Sequence, residues 1–167
     1  MSALRSQLVI PDAAVGPIVA DVQQYGAAQL DVETGGFLLA PADDQTRVTT
    51  VALAGEKGIT RRRGLFRVSG PAIEVLFGWA DDHDLRIPAQ VHSHGREASL
   101  SATDQRGGFN VTGFISCVVP FFRRPPTDPL LWGWWMFDGR TWVPAGQPAL
   151  DGGPVRVVTF DEDGVRP

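Results

Sequence analysis

Two of the chain's three histidines, His92 and His94, stand one residue apart in VHSHGREASLSATD, residues 91–104. Side chains alternate between the faces of a strand, so these two imidazoles point the same way and Ser93 points the other way. That spacing suits chelation of one divalent metal ion. Asp104 follows ten residues after His94, in the first turn of the next helix, where a returning loop can offer its carboxylate as a third ligand. Two histidines, an aspartate and a water make the open tetrahedral site of a catalytic zinc. The same residues also have a purely structural reading, as a polar pair on a strand followed by Ser101-Ala102-Thr103-Asp104, a helix capping box.

Glu33 shifts the balance towards the metal. It lies in VETGGFLLA (32–40), close to Gly35, Gly36, Phe37, Leu38 and Leu39. An unpaired charge in such a strand costs on the order of several kcal/mol, as for buried ions generally. A general base beside a metal-bound water would account for it. A strand-end residue still in water is the alternative, and Asp31 just before it keeps that open. His83, among Asp81, Asp82 and Asp84, reads as a solvated residue rather than a fourth ligand.

Several elements must position these groups. PDAAVGPIVADVQQY (11–25) sets Val15, Ile18, Val19 and Val22 on one helical face, with Pro11 and Asp12 at its start; Pro17 costs it a hydrogen bond or marks its real first turn. VETGGFLLA and RVTTVALAG (47–55) read as two strands of a hairpin. GEKGITRRRG (55–64) reads as a polar, glycine-bounded loop. A helix over 69–84, capped by Ser69, carries Ile73, Leu76, Phe77 and Ala80 inward. RIPAQVHSH (86–94) becomes a strand after Pro88, and SATDQRGG is a short capped helix. FNVTGFISCVVPFF and LLWGWWMFDGRTWVP supply further strands, the second turning at Asp138-Gly139. Trp132, Trp134, Trp135 and Phe137 form core plus an edge, or an exposed partner surface. PVRVVTFDEDG reads as a last strand with an exposed end. The predicted class is mixed α/β, with helices flanking a central sheet.

At 167 residues, with 43% apolar and 20% charged residues, the chain reads as a single globular domain over 1–167. A formal charge of −4 gives no general attraction to nucleic acid or to an anionic membrane. The lone Cys117 fits a reducing cytoplasm. MSALRSQLVIPD lacks the apolar run of a membrane helix and is a poor signal peptide. Of fifteen basic residues only Lys57 is a lysine, which fits a GC-rich genome or the avoidance of self-modification in a lysine-conjugating system.

Glu33 in ETGGFLLA, His92-Ser93-His94, and then Ser101 and Asp104 together resemble the JAMM motif of the JAB1/MPN metalloprotease family, Glu … His-x-His … Ser-x-x-Asp. SGPAIEVLFGW is similar to the helix that precedes the metal strand. FISCVVPFFRRPPTDPLLWGWWMFDGRTW is similar to the closing strands of bacterial members that travel with ubiquitin-like conjugation genes. The resemblance covers about residues 8–145 and leaves 146–167 as a C-terminal extension. It implies a JAB1/MPN-type, mostly antiparallel central sheet flanked by helices, with cytidine-deaminase-like layering. It also implies Zn²⁺ held by His92, His94 and Asp104. Glu33 would be the general base for a zinc-activated water, and Ser101 would donate to the oxyanion.

The implied activity is hydrolysis of the isopeptide or peptide bond after the C-terminus of a ubiquitin-like protein, in deconjugation or precursor processing. Implied partners are that protein or its conjugates and E1-like or E2-like proteins of the same system, with no nucleic acid and no membrane. Gly95 stands where the family usually has proline, and Gly95 to Leu100 is one residue shorter than usual, so a different loop path before Ser101 is expected. The short segments 55–63 and 123–129 predict a compact enzyme with little linkage specificity. Arg61–Arg63 reads as a solvated loop, or as a docking patch for an acidic partner. Two alternatives stay open: an inactive MPN scaffold, and a zinc hydrolase releasing an amino acid such as cysteine from a sulfur-carrier protein. A nucleobase deaminase is disfavoured, because the single cysteine cannot supply its Pro-Cys-x-x-Cys pattern.

Overall fold

The computed structural model describes residues 8–167, so most of the segment on which the signal-peptide expectation rests (residues 1–7) lies outside it. Among the described residues no helix is long and apolar enough to cross a membrane. The first elements among the described residues are β1 (Val9–Pro11) and α1 (Asp12–Gly26). Pro11, extended, is the N-cap of α1, and Asp12 complements the positive end of the helix dipole. Ala14, Ile18, Val19 and Val22 form its buried face, while Val15 is only partly buried. Pro17 sits inside the continuous helix rather than at its start.

The strands β2 (Gly35–Pro41) and β3 (Thr50–Ala54) form the expected antiparallel pair, with Leu38 opposite Val51. Next come the hairpin β4 (Ile59–Arg62) and β5 (Leu65–Val68), then α2 (Gly70–Asp82), β6 (Leu85–Ser93) and α3 (Ala102–Gly107). The C-terminal third adds β7 (Ile115–Val119), β8 (Gly133–Phe137), β9 (Trp142–Pro144), β10 (Ala149–Asp151), β11 (Arg156–Asp161) and β12 (Gly164–Arg166). Among the described residues, eight strands form one sheet in the order β12-β11-β3-β2-β6-β7-β8-β9. Only the β11–β3 and β6–β7 pairings in it are parallel. The sheet is mixed, mostly antiparallel, and covered by helices.

Alternation along β2 divides the core. Leu38 joins Ile18 and Val22 of α1 with Val51, Val91 and Val119 on one face. Phe37 and Leu39 join Leu76 and Ala80 of α2 with Ala52 and Phe160 on the other. With helices on both faces, the central strands are apolar on both sides, which is why 35–40 reads as an unbroken hydrophobic run.

Several expectations are corrected. The segment 55–64 is not all loop, because Ile59–Arg62 pairs with Leu65–Val68 across a turn at Arg63-Gly64. Glycines at positive φ, Gly58 (85°) and Gly64 (75°), turn the chain into and out of β4 where other residues would be strained. Phe77 is 45% exposed instead of facing the core, and it stacks on Phe109. Pro88 lies within β6, at a register shift against β2 and ahead of the first pairing with β7, so no ladder donor is missed. Trp132 and Trp134 are buried and stacked, each donating its indole N–H to a backbone carbonyl, so they form core and not a partner surface. The expected last strand, PVRVVTFDEDG, does form: β11 lies beside β3 with Val158 and Phe160 buried in the core.

Candidate metal centre

The site forms where β2 and β6 begin to run side by side. Gly35 faces His92 across the pair, and a Cβ there would lie 2.3 Å from the Val91 carbonyl oxygen. Only glycine permits that approach, which carries the two preceding residues over the end of β6. Ser93, pointing away from the histidines, fastens them. Its Oγ accepts from the Thr34 N–H at 2.9 Å and donates to the Thr34 carbonyl at 3.3 Å, and its own N–H donates to that carbonyl at 2.9 Å. Thr34 is held from the other side as well. Its Oγ1 donates to Asp21 and accepts from Arg61 Nε, whose remaining guanidinium nitrogens donate to Ala54 and Gly55 carbonyls. Burial raises Asp21 to about 6, against the opposing pull of Arg61.

These contacts bring Glu33, His92, His94 and Asp104 together. One ligand-type atom from each lies within 4.8 Å of all the others. His92 Nε2 is 3.2 Å from His94 Nε2 and 3.4 Å from Asp104 Oδ2, and His94 Nε2 is 2.9 Å from that same oxygen. Tetrahedral zinc at its usual bond lengths separates its ligands by about 3.3 Å, so the triangle fits such an ion. His94 Nδ1 lies 3.3 Å from the Glu97 carbonyl, a contact that suits an Nδ1–H donor and leaves Nε2 directed at the cluster. Glu33 is 5% exposed and its Oε1 has no hydrogen-bond partner, an orphaned buried acceptor that a metal site with its water would satisfy.

The electrostatics carry the same pattern. Burial pushes Glu33 up to about 7, Asp104 adds to the shift, and His94 and the Gly64 amide oppose it. Burial also works against the Asp104 carboxylate, but hydrogen bonds from His92 and His94 outweigh it and hold that group far below the ordinary range. For His94 burial lowers the pKa, whereas its hydrogen bond to Asp104 and the nearby Glu33 charge leave it raised. These shifts mark a site where opposite charges are concentrated in a nearly dry space.

Ser101 is the N-cap of α3, and the capping box is complete: its Oγ accepts from Asp104 N–H and its N–H donates to Asp104 Oδ2, both at 3.0 Å. The cap therefore orients the Asp104 carboxylate towards the histidines, and the two readings of this segment coincide. Ser101 is exposed and bonds to none of the other three cluster residues. The loop before it is tied down, with Arg96 accepting from Phe121 N–H and Ala98 accepting from Trp135 Nε1. Gly95 packs against the Phe122 ring, and a Cβ there would come 3.1 Å from that ring. His83 lies away from the cluster, stacked on Trp79 at the end of α2.

Solved structures share the fold. A protein from Desulfitobacterium hafniense superposes with a TM-score of 0.64 at 15% identity, over 89% of this chain and 95% of that one. A protein from Salinibacter ruber gives 0.58 at 21% identity, over 86% and 92%. A JAB1/MPN domain protein from Archaeoglobus fulgidus gives 0.49 at 14% identity, over 88% and 100%, an overlap too loose to establish kinship. No family model and no curated protein sequence matches the chain.

Sequence reasoning missed Asp21, Thr34 and Ser93, and it treated Arg61 as a surface residue. Arg61 is in fact turned inward, over the Tyr25 ring and onto Thr34. The strand period placed Ser93 opposite the histidines, but nothing in the sequence named its partner.

Proposed function

We propose that the chain is a JAMM-type zinc metallopeptidase that hydrolyses the bond after the C-terminus of a ubiquitin-like protein. The observation that carries this reading is the convergence of Glu33 with His92, His94 and Asp104 within 4.8 Å, although Glu33 lies far from them in sequence. His92, His94 and Asp104 would hold the zinc. The bound ion would polarise the scissile carbonyl and lower the pKa of water.

Glu33 acts as general base. Its partnerless Oε1 accepts a proton from the attacking water and returns it to the departing amine, so the proton balance closes on one side chain. Ser101 has its Oγ lone pair engaged by Asp104 N–H and its hydroxyl hydrogen free, which suits donation to the oxyanion. His94 and Asp104 are positioned by backbone contacts that do not depend on substrate. An extended substrate tail would enter by strand addition beside the site, with ubiquitin-like conjugates, and E1-like or E2-like proteins of the same cytoplasmic system, as partners. An inactive scaffold is disfavoured, because every motif position is present and four of the five meet in one cluster.

The test combines metal content with cleavage. Wild-type protein purified without chelator is expected to carry about one zinc, as three ligands and an open position require. Glu33→Ala should keep the zinc and lose about 10²–10⁴-fold in cleavage of a ubiquitin-like fusion, the usual share of a general base. Absence of zinc, even after it is added back, would remove the metal site. Full activity in Glu33→Ala would remove the base.

A further inference from the structure

A cleft of 740 Å³ opens beside Glu33, outside the ligand triangle. Arg63, Arg96, Arg123 and Arg124 line it, against the carboxylates of Asp31 and Glu33. The lining is thus cationic on a chain whose formal charge is −4. Asp31, 14% exposed at its side chain, already pairs with Arg63 and Arg123. Arg96 and Arg124 are exposed, and among the described residues neither makes an ion pair or a side-chain hydrogen bond.

The backbone that carries these free guanidinium groups is fixed. Phe121 N–H donates to Arg96 at 2.9 Å, Phe122 N–H to His94 at 3.0 Å, and Arg124 N–H to Phe121 at 2.8 Å. Phe122 is seated against Gly26 and Gly95, where a Cβ on either glycine would crowd it. Phe121 is 52% exposed at the cleft and has φ of 54°, a left-handed conformation that costs a non-glycine residue energy and tends to persist at functional positions. An exposed apolar side chain on a left-handed backbone and two unpaired arginines are therefore carried on hydrogen-bonded backbone at the mouth of the candidate active site.

We propose that this cleft binds an acidic peptide segment of the protein substrate flanking the scissile bond, its carboxylates on Arg96 and Arg124 and an apolar side chain against Phe121. This rests on the peptidase reading of the adjoining cluster. Arginine forks match carboxylates with paired hydrogen bonds. A longer polyanion such as nucleic acid is disfavoured, because the basic surface is local and the chain as a whole is acidic.

The experiment is fluorescence anisotropy with a short labelled peptide rich in Asp and Glu and one phenylalanine, beside Lys/Arg and Ser/Gly counterparts and a single-stranded oligonucleotide of equal length. Each probe is titrated into zinc-loaded and chelator-stripped protein. The acidic peptide should bind more tightly than the other three in both forms. The double variant Arg96→Ala/Arg124→Ala should weaken it about tenfold, equivalent to about 1.4 kcal/mol, with zinc content and Tm unchanged. Equal binding of all peptides, no loss in the double variant, or tighter binding of the oligonucleotide would overturn the proposal. Cleavage without acidic preference would also overturn it and leave the peptidase reading intact. Acidic-peptide binding with no cleavage of any fusion would keep the cleft and remove the peptidase.

Discussion

Asp104 carries two duties on one carboxylate. Its Oδ2 accepts the Ser101 N–H and also faces both histidines, so the helix cap itself aims the carboxylate at the imidazoles. Removing the Ser101 hydroxyl breaks only half of this arrangement, since the Ser101 backbone N–H still reaches Asp104. Ser101→Ala is therefore expected to keep its zinc and to lose about 1 kcal/mol of stability as a lost cap. Its cleavage should drop less than that of Glu33→Ala, a ranking read from kcat/KM of both variants with metal content measured alongside. An equal or larger loss would mean that the hydroxyl does more than assist. The side chains that gather at the site were legible in the sequence, because strand alternation fixes the relation of His92 to His94 and the motif spacing ties in Asp104. The residues that hold Glu33 were not. Ser93, Thr34 and Asp21 are common polar types, and their meaning comes from contacts across strands, such as Ser93 with Thr34, that no local pattern encodes.

At the scale of elements, the hairpin β4–β5 was the main surprise, and its cause is physical. GEKGITRRRG is polar and glycine-bounded, so it reads as loop, but short arginine-rich strands can pair when their side chains find acceptors at the edge of a fold. Arg61 supplies that anchor, with three donors on Thr34, Ala54 and Gly55 and its guanidinium 3.9 Å from the Tyr25 ring centroid. The hairpin in turn accepts the Glu33 N–H at the Arg62 carbonyl. The helices and the central strands, by contrast, follow directly from apolar periodicity and from the Ser69 and Ser101 caps. Arg61→Ala should destabilise the protein by about 1.5–3 kcal/mol, the range for hydrogen bonds with a charged partner. Because Thr34 and the hairpin both adjoin Glu33, cleavage should fall as well while zinc binding persists. Denaturant unfolding and metal analysis on the same sample check both; a variant as stable as wild type would make Arg61 a surface residue after all.

For the whole molecule, the last strands close the sheet at its far edge from the aromatic hairpin. The family resemblance stops near residue 145, yet β11 packs Val158 and Phe160 into the core and ends at a buried carboxylate, Asp161. That group accepts hydrogen bonds from Arg166 and from the Glu56 and Asp163 amides, clasping β12 and the start of the hairpin region together. The Arg166 hydrogen bonds lower its pKa most; burial opposes them, and the amides add to the lowering. A carboxylate held below its unfolded value stabilises the fold above that value, and the contribution is lost as pH falls through it towards the folded pKa. With an unfolded value near 3.8, the stabilisation should be complete at neutral pH and decline on acidification below about pH 4. Asp161→Asn keeps the shape but removes the charge, and at pH 7 it should cost about 1.5–3 kcal/mol. Other carboxylates, such as Asp138 and Asp151, also titrate with lowered pKa values, but far from Asp161 their effects cancel between variant and wild type. The difference in unfolding free energy between the two proteins should therefore be constant from pH 7 to about pH 5 and shrink steadily below pH 4. A difference independent of pH would mean that Asp161 stabilises the fold through its shape and not through its charge.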